Sequence, residues 1–230
     1  MASTTPGPTT TQATPADSRP SPSSLAFILG DRIAPPDKAL SVGYELPCGA
    51  AKVQLKPLAR LLVAIAVWQL RERGAVALER FERKRLFIKQ QKIGLRRTGE
   101  GFGVPGLEDA LLAQVTSDLQ KSSVEDVVFR LLGQDSHMPE GVILDTIVGF
   151  LAQQGYYRDV DAGRGAISGA ILGRQKRQPD CERMAGLRGS GEQVIAGWSA
   201  FQQSEPELAA ELVKAAENGI SSRQEQRDSD

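Results

Sequence analysis

One histidine, His137, and two cysteines, Cys48 and Cys181, are all that this chain offers a transition metal. The cysteines lie far apart and no ligand spacing links them to the histidine, which argues against a zinc centre. They read instead as two free thiols in a reducing compartment. Aromatic residues make up only 5% of the chain, so a core has to be assembled from Leu, Val, Ile and Ala. Net charge is lacking too. The 28 basic and 28 acidic residues cancel, which argues against a globally basic nucleic-acid binder and makes any basic surface a local one. No apolar run approaches the ~20 residues that a membrane-spanning helix needs. The N-terminus has no charged segment leading into an apolar one, so the expectation is a protein that is not secreted. Gly163-Arg164-Gly165 forms neither a dinucleotide fingerprint nor a phosphate-binding loop.

What is present is a chain of 230 residues, long enough for one domain with tails. Residues 1–24 are Ser, Thr, Pro, Ala and Gly with little to bury, and are expected to be disordered. Structure is expected over 25–220, followed by a polar tail at 221–230. Leu25 to Leu29 reads as a strand or a short helical turn. A helix is predicted from Pro57 to Arg73, with Leu58, Leu61, Leu62, Ile65, Trp68 and Leu70 at helical spacing, Pro57 in its first turn and Gly74 as its stop. Further helices are predicted over 106–119, from a capping box at Ser122-Ser123-Val124-Glu125 to Gly133, and over 140–154 with Gly155 as a stop. Tyr156 to Val160 reads as a strand. Residues 161–191 hold seven glycines and the basic Arg174, Lys176 and Arg177, and read as irregular or weakly helical. A final helix pair carries Val194, Ile195, Trp198 and Phe201, then a second capping box at Ser204 to Glu207 and a helix ending at Gly219.

The stretch from Gly74 to Gly106 stands apart. It reads as a β-hairpin, with strands near Ala75–Leu78 and Leu86–Ile88 and a third segment near Lys92–Arg96. From Arg80 to Arg97 there are eight basic residues against one acid, Glu82. The binding candidates are Arg80, Arg83, Lys84, Arg85, Lys89, Arg96 and Arg97. Such a cluster suits a solvated charged wing, an anionic membrane surface, or a nucleic-acid backbone. The last is disfavoured because Met138 to Gln154, the natural recognition helix, contains no Lys or Arg. No catalytic constellation stands out. His137 sits in a loop, and Glu108-Asp109 at a helix start suits the positive end of the helix dipole. The expectation is a protein that is not an enzyme and needs no cofactor. Leu70-x-x-x-Gly74 before a strand is echoed by Leu151-x-x-x-Gly155 before a strand, which suggests two winged-helix-like modules.

Gly74-Ala75-Val76-Ala77-Leu78-Glu79, the basic hairpin, and Gly106-Leu107-Glu108-Asp109-Ala110-Leu111 together resemble the Golgi phosphoprotein 3 family. The resemblance extends through Ser123–Gly133 and Phe150–Tyr157 and covers residues 57–160. It implies a mainly α-helical domain with winged-helix-like modules and a protruding basic β-hairpin. It also implies a non-enzymatic peripheral membrane protein that binds phosphatidylinositol 4-phosphate at a cytosolic membrane face, the Golgi in a eukaryote, with self-association through the hairpin. Where that family places a Trp for the headgroup, near the first helix start, this chain has Lys52, Lys56 and Arg60. The later helix lacks the family's Arg residues.

Overall fold

The computed structural model describes residues 19–38, 42–49, 51–85, 88–133, 138–159 and 177–227. The chain opens with helix α1 (Pro22–Ile28), then strands β1 (Gly43–Glu45) and β2 (Lys52–Gln54) and helix α2 (Leu55–Glu72). Strands β3 (Val76–Arg85) and β4 (Ile88–Arg97) follow, then helices α3 (Leu107–Leu112), α4 (Val124–Leu131) and α5 (Pro139–Gln153). Strand β5 (Tyr157–Asp159), strand β6 (Arg177–Pro179) and helices α6 (Cys181–Ala185), α7 (Arg188–Ser204) and α8 (Pro206–Arg227) complete the order. The fold is mainly helical, with β1–β2, β3–β4 and β5–β6 each forming a small antiparallel sheet.

Helix α2 is the axis. Every residue from Leu62 to Val67 is fully buried, so the helix is apolar all round in its middle turns and has neighbours on every side: α1, α3, α5 and α8. Near its C-terminal end Trp68 joins Trp198 and Phe201 of α7 in a cluster with ring centroids 5.4–5.9 Å apart. Trp68, Trp198 and Phe201 are therefore core, as their spacing suggests, while Val194 and Ile195 of the same stripe are half-buried.

Two helix stops follow the echo seen in the sequence. At the end of α2, Gly74 takes φ +74° and the N–H of Ala75 donates back to the carbonyl of Leu70 at 2.9 Å. At the end of α5, Gly155 takes φ +78° and the N–H of Tyr156 donates to Leu151 at 2.8 Å. A left-handed residue that lets the next amide reach back five positions is a glycine-dependent helix end. In both cases the chain leaves directly into a strand.

Several boundaries differ from expectation. The N-terminal segment is structured before residue 25: Pro20, Ser21, Ser23 and Ser24 are buried, and Leu25 to Leu29 belongs mostly to a helix. Residues 19–24 hold place by contacts to α3 that composition does not disclose. The C-terminal end also stays helical past Gly219 to Arg227, with Arg223 buried over the ring of Phe129 at 4.9 Å. The helix predicted over 106–119 stops at Leu112. Beyond it, the N–H of Thr116 donates to Ser122 Oγ at 2.9 Å and a short 3-10 turn occupies Leu119–Lys121.

The cap of α4 shifts by one residue, to Ser123. Its Oγ accepts from the N–H of Asp126 and donates to that carboxylate at 2.6 Å. Ser204 closes α7, its hydroxyl donating to Phe201 O at 3.2 Å, rather than capping α8. Within 161–191, where irregular or weakly helical chain was expected, α6 and the start of α7 are helical and β6 is a short strand. His137, Leu86, Phe87, Arg174 and Lys176 lie outside the described residues.

The cysteines are not free. Cys48 and Cys181 form a disulfide with Cα atoms 5.5 Å apart, joining the turn after β1 to the first residue of α6. A fold that brings two positions 133 residues apart into this register supplies a proximity that sequence spacing cannot show.

Candidate functional site

The basic stretch forms one continuous two-stranded sheet. Strands β3 and β4 pair through ten positions, from Val76 opposite Arg97 to Arg85 opposite Ile88, so the three short segments expected are two long ones. Alternation puts Val76, Leu78, Ile93 and Leu95 on one face, where Val76, Ile93 and Leu95 are buried. Gly94 lets the other face approach the 3-10 turn: a Cβ there would stand 2.5 Å from Leu119 Cδ1.

The seven candidates do not gather into one patch. Lys84 and Lys89 are cross-strand partners near the outer end, while Arg97 pairs with Val76 at the root. Eight residues of strand separate these pairs, about 27 Å at ~3.3–3.4 Å each. The middle of the sheet is bound to the helices. Arg83 makes a paired contact with Asp126 of α4, at 3.1 and 2.7 Å, and also donates to the carbonyl of Gln120. Arg80 donates its Nε to Glu211 of α8 at 3.1 Å. Lys92, which was not among the candidates, pairs with Glu125.

Two further cations are matched within the sheet. Lys89 lies 3.0 Å from Glu82, and Arg96 lies 2.6 Å from Glu79. Each is a diagonal cross-strand pair, Lys89–Glu82 on one face and Arg96–Glu79 on the other, the geometry in which opposite charges stabilise a ribbon. Arg97 donates Nε to its neighbour Gly99 O at 3.3 Å. Lys84 has no acidic partner among the described residues and stands opposite another lysine. Arg85 belongs to the same outer end by its register with Ile88. The charge excess of the sequence is thus largely consumed by acids of α4, α8 and the sheet itself, and the cations without an acid among the described residues are Lys84 near the outer end and Arg97 at the root.

Among the described residues, Glu108 is a fully buried carboxyl. The sequence places it in the first turn of α3. The structure also sets its carboxylate against the first turn of α1, accepting from the Ser23 N–H at 2.6 Å and the Ser23 hydroxyl at 2.8 Å. Burial raises its pKa above the usual glutamate value; its own amide, the Ser23 amide and the Ser21 and Ser23 hydroxyls oppose that rise without cancelling it. It fastens two helix starts together. Among the described residues, no three His, Cys, Asp or Glu side chains gather as metal ligands, and no helix is long and apolar enough to cross a membrane.

Sequence reasoning missed Glu125, Asp126 and Glu211, the acids that hold the basic strands down. No local signal marks them, since each lies on a helix, α4 or α8, far along the chain from its partner on β3 or β4. Comparison with protein-family models, curated proteins and solved structures finds no match for this chain.

Proposed function

We propose that this protein is a non-enzymatic peripheral membrane protein that docks on anionic lipid through the outer end of the β3–β4 hairpin. The observation that carries this reading is the pair of lysines, Lys84 opposite Lys89, with Glu82 matching only one of them. Like charges directly across a ladder destabilise it, and an anionic surface would relieve the repulsion. The family resemblance names phosphatidylinositol 4-phosphate as the lipid, and the two helix–glycine–sheet units as winged-helix-like modules.

The charge count bounds the strength. Each basic residue close to an anionic leaflet contributes about 1 kcal/mol. With Lys89 already matched by Glu82, the outer end offers a net gain of about 2 kcal/mol, which alone is weak and salt-sensitive. Self-association through the same strands would present two such ends to one membrane and multiply their effects. Partners on this reading are an anionic membrane surface and a second copy of the chain.

Co-sedimentation with phosphatidylcholine vesicles, with and without phosphatidylinositol 4-phosphate, tests it. Binding is expected only with the anionic lipid, falling roughly tenfold or more for Lys84→Glu, which changes the local charge by two. Equal binding to both vesicle types, or an unaffected Lys84→Glu, would sink the reading.

A further inference from the structure

Between β4, the start of α4 and α8 lies a cleft of about 410 Å³, within the usual range for a small-molecule site. Its floor is apolar, formed by Ile93 and Ala215, both buried. One wall is the Lys92–Glu125 pair, whose side chains are only 14% and 17% exposed. Asn218 Nδ2 donates to the second oxygen of Glu125 at 2.8 Å, so this wall is fixed before any ligand arrives. The opposite rim is the Arg80–Glu211 pair.

The charges lining this cleft do not balance. Arg80, Lys92 and Lys214 face Glu125 and Glu211, which leaves one positive charge over. Lys214 is the cation without an acid among the described residues, and it shares the cleft-facing side of α8 with Glu211 and Asn218. Arg80 spends only its Nε on Glu211. Its two terminal nitrogens remain available to an oxyanion in the forked geometry that guanidinium suits. Gln91 adds an amide from the strand side.

We propose that this cleft is a binding site for a small molecule carrying one oxyanion, a phosphate or a carboxylate. Lys214 and the free end of Arg80 hold the anion, and Asn218 and Glu211 accept from hydroxyl groups beside it. The same chemistry could come from a free metabolite or from a lipid headgroup. The cleft runs along β4 from Ile93 to Gln90, next to Lys89, but neither Lys84 nor Lys89 lines it, and it does not depend on membrane docking at that end.

Titration of the isotope-labelled full-length chain by NMR, with glycerol phosphate, with lactate, and with phosphatidylcholine vesicles containing or lacking phosphatidic acid, tests the proposal. Saturable shifts at Gln91, Lys214 and Asn218 with either soluble probe would identify a free ligand. Shifts with phosphatidic acid vesicles alone would identify a headgroup. In either case Lys214→Ala, at an exposed helix position, should weaken binding at least tenfold, while Lys84→Ala leaves soluble-probe binding unchanged. The absence of saturable binding by every probe, or equal affinity in Lys214→Ala, overturns it. Loss of vesicle docking in Lys84→Glu with glycerol phosphate or lactate binding intact would separate this site from the membrane reading.

Discussion

Replacing Glu108 tests the least expected joint of the fold. Its carboxylate accepts two hydrogen bonds from Ser23, at 2.6 and 2.8 Å, in a fully buried setting. In Glu108→Ala both Ser23 donors lose their acceptor, at about 1–3 kcal/mol for each buried group left unsatisfied. The expected loss is about 2–6 kcal/mol, or a shift of roughly 1–2 M in the urea midpoint at a slope of about 2–3 kcal/mol per M. Glu108→Gln keeps an amide oxygen for the Ser23 N–H but cannot ionise.

The two variants separate the hydrogen bonds from the charge. Burial raises the folded-state pKa above the usual 4.5, so the native protein holds this proton longer than the unfolded chain does. The associated stability is fully present below about pH 4.5 and is lost as pH rises through the raised value. Wild type should therefore weaken, relative to Glu108→Gln, in the window above pH 4.5. Urea denaturation followed by circular dichroism across pH 4–8 reads both effects. Parallel pH profiles for wild type and Glu108→Gln, or Glu108→Ala as stable as Glu108→Gln, would refute the reasoning.

Other outcomes follow from the same contacts. Replacing both cysteines by Ser opens a loop with ends 133 residues apart, and chain entropy sets an upper bound of about 5 kcal/mol on the loss; a thiol count on the native wild-type chain should read zero before reductant and two after. Gly94→Val should destabilise the fold by about 1–3 kcal/mol through overpacking against Leu119, seen as a lower melting temperature. Trp68→Ala should cost about 3–5 kcal/mol by emptying the cluster with Trp198 and Phe201, again measured by denaturation.

The helices were legible because their signals are local. The stripe of α2, the stops at Gly74 and Gly155, and the start of α5, expected at Glu140 and found at Pro139, each depend on residues within a few positions of one another. The strand character of the basic stretch was legible for the same reason, although its length was not. Two ten-residue strands form because each supplies the other's hydrogen bonds, and the run Glu79 to Arg85 has no apolar alternation to announce that.

The candidate site was half legible. Its cations are plain in the sequence, but their fate was decided by acids on α4 and α8. Arg83 finds Asp126 across 43 positions and Arg80 finds Glu211 across 131, so the apparent patch becomes the fastening of a sheet to its helices. Composition suggested that the region before Leu25 was tail, yet Pro20, Ser21, Ser23 and Ser24 are buried, and Glu108 offers Ser23 an acceptor 85 positions away. The cysteines follow the same rule.

By itself the sequence determined a mainly helical chain, its principal helix stops and the place where its basic charge is concentrated. Periodicity and backbone conformation are properties of neighbours, and neighbours are written in order. Which charges are spent, which carboxyl is buried and which thiols meet were decided by the tertiary structure alone. Each depends on a distance between side chains that only the packing around α2 brings into range.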